Sequence, residues 1–190
     1  MLKKANVEVQ IRVGRGGYSL PAKEEARTYP GPDWCRDYVD AWGYSWGDAR
    51  AAIDFERELL SNHAAEDNDF EPDEDDVIAE SELIGPFDLG VGSTVIALSA
   101  LGCVPYSSCN GGLLGGGHQY ERPQVVFYTA QRLVPALVTC AKAAGVGLED
   151  YCGGLIVYSA DLFNMVQFAE ELMAWKQARG CGGAGAKKKK

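Results

Sequence analysis

The segment Ser107-Ser108-Cys109-Asn110-Gly111-Gly112-Leu113-Leu114-Gly115-Gly116-Gly117-His118 concentrates the side chains that could do chemistry. A thiol, two hydroxyls, an amide and an imidazole stand beside five glycines in seven residues. Glycine loses more backbone freedom on folding than any other residue, so such density suits a place where the chain must approach something closely or take positive φ. Three readings are open. In the first, Cys109 is a nucleophile and His118 its base, which requires an imidazole within hydrogen-bond reach of a thiol of lowered pKa; a flexible nine-residue separation permits that contact. Asn110 would then orient the ring or donate to an oxyanion. In the second, Ser107, Ser108, Cys109, Asn110 and His118, with the backbone of Gly111 and Gly112, line a pocket and contact a small molecule without covalent chemistry. In the third the segment is a structural turn and Cys109 a small buried hydrophobe.

Other chemistries fit less well. The phosphate-loop pattern GxxxxGK[ST] is absent, and the glycines lead to Pro123 and an apolar run rather than to a helix N-terminus, which also fails the dinucleotide fingerprint. No two of the six cysteines form a CxxC pair, and the only other histidine, His63, is far along the chain, so no metal site is expected. Asp67, Asp69, Glu71 and Asp73 alternate as in a calcium loop, but Pro72 stands where that loop needs Gly and Ile78 where it needs Glu.

Positioning these groups requires elements on both sides of the loop. Val7, Val9, Ile11 and Val13 alternate with Glu8, Gln10 and Arg12, the period of a half-buried strand. Five aromatics, Trp34, Tyr38, Trp42, Tyr44 and Trp46, follow a proline-rich stretch and suit a satellite core or a recognition surface. From 47 to 61 a helix is expected, capped by Asp48, with Ala49, Ile53, Glu56 and Leu60 on one face. A second, apolar all round and therefore buried, is expected from Asp88 as cap to Leu101, ended by Gly102. Cys103 to Ser107 reads as extended chain leading into the loop. Beyond it, strand 125–129, helix 133–144 with Pro135 in its first turn, and strand 155–158 read as a right-handed crossover unit. Asp161 caps a last amphipathic helix ending near Gly180.

A helix running into Ser107-Ser108-Cys109-x-Gly111, followed by a strand, a helix ending in Ala-Gly and a second strand, resembles the transfer-RNA methyltransferase family of wybutosine synthesis. That family carries a Ser-Ser-Cys-Ser-Gly-Arg signature; here Asn110 and Gly112 stand at its third Ser and its Arg. The resemblance spans about Asp88 to Asp161. It implies a similar core and a pocket of S-adenosylmethionine size beside the loop.

Composition sets the outer bounds. The chain has 190 residues and 46% apolar content, enough for a core without disulfide help. It is expected to form a single α/β (or α+β) domain over 1–180, with an acidic segment at 64–84 and a basic tail at 181–190. No run approaches the ~20 apolar residues of a membrane span and no apolar leader opens the chain, so a cytoplasmic protein with free thiols is expected. The net charge is −9; taking Lys187 to Lys190 from the 18 basic residues leaves 14 against 27 acidic ones, a body at −13. Such a body disfavours nucleic acid, whose affinity for proteins comes largely from Lys and Arg. Ten carboxylates lie between Glu66 and Glu82, and no Lys or Arg occurs between Arg57 and Arg122. The expected function is therefore binding of a small molecule or nucleotide derivative at the Ser-Ser-Cys-Asn-Gly-Gly loop. The alternatives are a regulatory, inhibitor or immunity-type protein whose acidic block meets a basic protein partner, and a cysteine hydrolase or transferase using Cys109 and His118.

Overall fold

A computed structural model describes residues 3–22, 43–65, 82–114 and 120–181. The acidic residues 66–81, Trp34, Tyr38, Trp42, His118 and the lysine tail lie outside them. The described elements run β1 (Ile11–Arg12), α1 (Trp46–Ala65), α2 (Gly92–Leu101), β2 (Val104–Asn110), β3 (Pro123–Tyr128), a 3-10 turn (Gln131–Leu133), α3 (Val134–Ala144), β4 (Gly147–Tyr151), β5 (Gly154–Tyr158) and α4 (Leu162–Cys181). The fold is α+β, a mixed five-stranded sheet of order β1-β4-β5-β3-β2 with four helices.

Alternation along the strands sends successive side chains to opposite faces. Val125, Phe127, Leu148, Leu155 and Val157 join a core to which all four helices contribute, through residues such as Ile53, Ile96, Leu137 and Met165. Val126, Ile156 and Tyr158 form a second cluster on the other face, with Val7 and Tyr106 packed against it and no helix residue in it. Among the described residues the sheet thus has a helical face and a face on which no helix packs, termed here the helix-free face.

Local chemistry explains where the helices begin and end. Ser45 caps α1 by accepting from the amides of Gly47 and Asp48 at 3.1 and 3.2 Å, and the Asp48 carboxylate accepts the Ser45 amide at 2.7 Å. This reciprocal capping box makes Ser45 the cap and Asp48 its partner, which corrects the expected role of Asp48. The Ser45 backbone amide, with a smaller contribution from its hydroxyl, holds the Asp48 carboxyl below its usual value. Gly102 and Gly145 end α2 and α3 in left-handed conformation, with φ of 92° and 69°. Pro135 lies in the first turn of α3, where its missing N–H costs nothing. Asp161 caps α4 by accepting the Asn164 amide at 2.9 Å.

The sheet departs from expectation in three places. Strand pairing at the N-terminus covers only Ile11–Arg12, parallel to β4 at Leu148 and Glu149. The stretch before it is tethered by the Ala5 amide to the Ala160 carbonyl and by a 3.1 Å ion pair between Lys4 and Asp161. Ser107 to Asn110 belong to strand β2 rather than to a loop. Finally, 154–158 pairs antiparallel with β3, so it is not the crossover partner. Both β3 and β4 run antiparallel to β5, which makes them parallel to each other; the crossover through α3 therefore lands on β4, and β5 returns by a hairpin to lie between them. The segment Gly147-Leu148-Glu149-Asp150-Tyr151 hides this strand. Its glycine looks like a helix stop, and only Gly147 and Leu148 are buried. Gly147 is required because the Tyr158 ring lies on it: a Cβ there would sit 2.3 Å from Cζ.

Candidate functional site

Residues directly opposite in antiparallel strands share a face. Cys109 stands opposite Gln124, and Gln124 opposite Tyr158, so the three form a row across β2, β3 and β5. Val126 and Ile156 make the next row, with Ser107 opposite Val126 on β2. Val126, Ile156 and Tyr158 define the helix-free face, and both rows lie there. An irregularity between Pro105 and Ser107 gives β2 an extra residue against β3, and Tyr106 stacks on Tyr128 with centroids 4.7 Å apart.

The seven residues named from sequence divide. Cys109 and Ser107 lie on the helix-free face; Ser108 and Asn110, opposite Val125 and Pro123, turn toward the helical side. Asn110 holds the β2 turn together. Its amide donates to Asp88 Oδ2 at 3.2 Å, its Nδ2 to the Leu89 carbonyl, and its Oδ1 accepts the Gly112 amide at 3.0 Å. Asp88, expected to cap α2 through its side chain, instead binds this turn; its backbone carbonyl accepts the Val91 and Gly92 amides ahead of α2. Gly111 and Gly112 adopt φ of 71° and 67°, and a Cβ on Gly111 would meet the Arg122 backbone at 2.5 Å. The glycines serve a left-handed turn pressed against the start of β3, as their density suggested. His118 lies outside the described residues.

The Cys109 thiol is buried, and its sulfur accepts the Gly111 amide at 3.3 Å. Burial pushes its pKa up; the amides of Gly111 and Tyr120 pull it back, and the Asp88 charge raises it further. The balance favours a neutral thiol. Cys103 and Cys140 are pushed by burial to about 12 and about 11; Cys103, Cys109, Cys140 and Cys152 are thiols outside any disulfide, and Cys152 is exposed.

Sequence reasoning missed two groups here. Tyr158 is buried, and its hydroxyl donates to Glu149 at 2.9 Å and accepts the Gln10 amide at 3.3 Å. Burial raises its pKa, the bond to Glu149 adds to the rise, and the Gln10 amide opposes it. Arg122 lays its guanidinium on the Tyr158 ring, 3.7 Å from the centroid, while Nε donates to Gln124 Oε1 at 3.4 Å. One signal pointed to Arg122: it is the first basic residue after Arg57 and stands at the base of the glycine-rich segment.

A second buried polar centre lies in the helical layer. Glu56 is fully buried; Oε1 accepts the amides of Gly90 and Gly92 at 2.7 and 3.0 Å, and Oε2 that of Ser93 at 3.1 Å. A carboxylate from α1 thereby satisfies the open amides at the start of α2. Burial pushes its pKa up to about 7, against the polar groups of Ser93 and the amides of Gly90 and Gly92. A shallow groove between α1 and α4, lined by residues including Arg50, Ile53, Asp54 and Met173, contains none of the residues named from sequence. Among the described residues no group of three or more His, Cys, Asp or Glu is placed to hold a metal, and no helix is long and apolar enough to cross a membrane. Comparison with protein-family models, with curated proteins and with solved structures gave no match.

Proposed function

We propose that this protein binds a small molecule or nucleotide derivative, without covalent chemistry, on the helix-free face of its sheet beside the Cys109 to Gly112 turn. One observation carries the reading. The row Cys109, Gln124 and Tyr158 sets a thiol, an amide and an aromatic ring side by side on rigid strands, with the accessible rim made by Ser107, the Gly111–Gly112 backbone and Arg122. Sites built on strands hold their geometry better than sites on loops, and an aromatic floor with a few convergent polar groups is the usual composition of a small-molecule site. The raised pKa of Cys109 favours the non-covalent reading over the nucleophilic one, since a thiol is a poor nucleophile.

The test is a thermal-shift screen of neutral nucleosides, nucleotides, small carboxylic acids and S-adenosylmethionine, the last because of the resemblance noted above. A true ligand at one hundred times its Kd adds about 2.7 kcal/mol to the stability of the wild type. The double variant Cys109→Ala, Gln124→Ala should keep its fold and lose that gain. Ligands that stabilise it as much as the wild type would overturn the proposal.

A further inference from the structure

The helix-free face carries a guanidinium, Arg122, set over the Tyr158 ring. Arg122 is half-buried, its Nε is taken by Gln124 and its plane rests on Tyr158, yet among the described residues no carboxylate lies within ion-pair distance of it. Arg57 meets Glu170 at 2.6 Å and Lys4 meets Asp161 at 3.1 Å, whereas the Arg122 guanidinium is held by a ring and an amide. A guanidinium held over an aromatic face is also oriented before any ligand arrives. Stacking fixes its plane, the bond from Nε fixes its rotation, and the two terminal NH2 groups are left as a planar pair of donors. The strands hold the backbone to which it is attached, because Gly111 packs directly on the backbone of Arg122.

Building on the proposed site, we infer that Arg122 is its anion-recognising residue and that the ligand carries a terminal oxyanion, a phosphate or a carboxylate, bound by the two Nη groups. Charge-assisted, two-pronged contacts of this kind are stronger than neutral hydrogen bonds and are specific for planar or tetrahedral oxyanions. The surrounding acidity makes the inference more selective. An overall negative body repels anions at long range, so an oxyanion binds here only where a local cation is pre-set to receive it. The Gly111–Gly112 turn lies against the Arg122 backbone at the end of the same face. Tyr158 then acts as a positioning residue, holding the guanidinium plane rather than touching the anion.

The experiment uses the full chain, labelled with 15N, and inorganic phosphate and acetate as probes, with a neutral nucleoside as the third arm. The readouts are the Arg122 Nε–Hε resonance and the amides of Gly111 and Gln124. Saturable movement of all three by phosphate or acetate is expected, and the stronger of the two identifies a phosphoryl or a carboxyl group. Arg122→Gln should weaken that binding by about tenfold or more, and Arg122→Lys, which keeps the charge without the planar fork, by less. If neither anion moves these resonances while the nucleoside does, the anion assignment is wrong and the site stands. If none of the three probes moves them, both fall. Unchanged anion affinity in a folded Arg122→Gln protein also overturns the assignment.

Discussion

Glu56 does what a capping side chain normally does, but from another helix. A carboxylate taken wholly out of water is costly, and it is tolerated here because three amides of the α2 start receive it. Its pKa of about 7, against an ordinary 4.5, means that the folded chain holds this proton more tightly than the unfolded chain does. The resulting stability is fully present below about 4.5 and is lost as pH rises through about 7. The loss is on the order of 3 kcal/mol in total. Urea titrations of wild type and Glu56→Gln across pH 4 to 8 should show that decline in the wild type alone. The amide keeps one acceptor oxygen, so the variant is less stable at low pH, by about 1 to 2 kcal/mol, but nearly flat in this window. Parallel pH profiles would contradict the assignment. A second residue-scale expectation concerns the thiols. Mass-resolved labelling of the native protein at neutral pH should modify exposed Cys152 well before Cys103, Cys109 and Cys140. Early labelling of Cys109 would restore the nucleophilic reading.

The glycines are informative at the scale of elements, where close approach and positive φ separate them from ordinary turn residues. Gly111→Ala would place a Cβ 2.5 Å from the Arg122 backbone at a φ of 71°, and backbone cannot move aside as a side chain can. It should cost about 2 kcal/mol or more in chemical denaturation and disturb the β2 turn. Gly102→Ala also has positive φ but open space around it, so it should cost about 1 kcal/mol. Equal costs would mean that the β2–β3 approach is not as tight as described. Much at this scale was legible in the sequence. Ala49, Ile53, Glu56 and Leu60 are buried on one face of α1, α2 is buried along most of its length, and the glycines that end α2 and α3 were identifiable from position alone. What stayed hidden depended on distant partners. The amides that hold Glu56 are 34 to 37 residues away, beyond any helical period. Of the acidic side chains on strand β4, Glu149 lies on the helix-free face beside Tyr158 and Asp150 accepts the Gly14 amide, partners that the local pattern of β4 does not reveal. The row formed by Cys109, Gln124 and Tyr158 exists only once β5 is known to pair antiparallel with β3.

For the whole molecule, the division of the sheet into two faces organises everything else. The helical face is closed, apolar and pinned by Glu56; the helix-free face carries aromatic rings, a thiol, an amide and the stacked Arg122. The sequence singled out the segment Ser107 to Gly112, and the fold divides it, with Ser107 and Cys109 on one side of the sheet and Ser108 and Asn110 on the other. A period of two cannot say which face is free until the helices are packed. Whether ligand binds on this face is read by amide-resolved NMR mapping of a ligand from the thermal-shift screen. Shifts concentrated at Ser107, Cys109, Gly111, Gln124 and Tyr158 are expected. Shifts confined to Arg50, Ile53 and Met173, in the groove between α1 and α4, would contradict the proposed site.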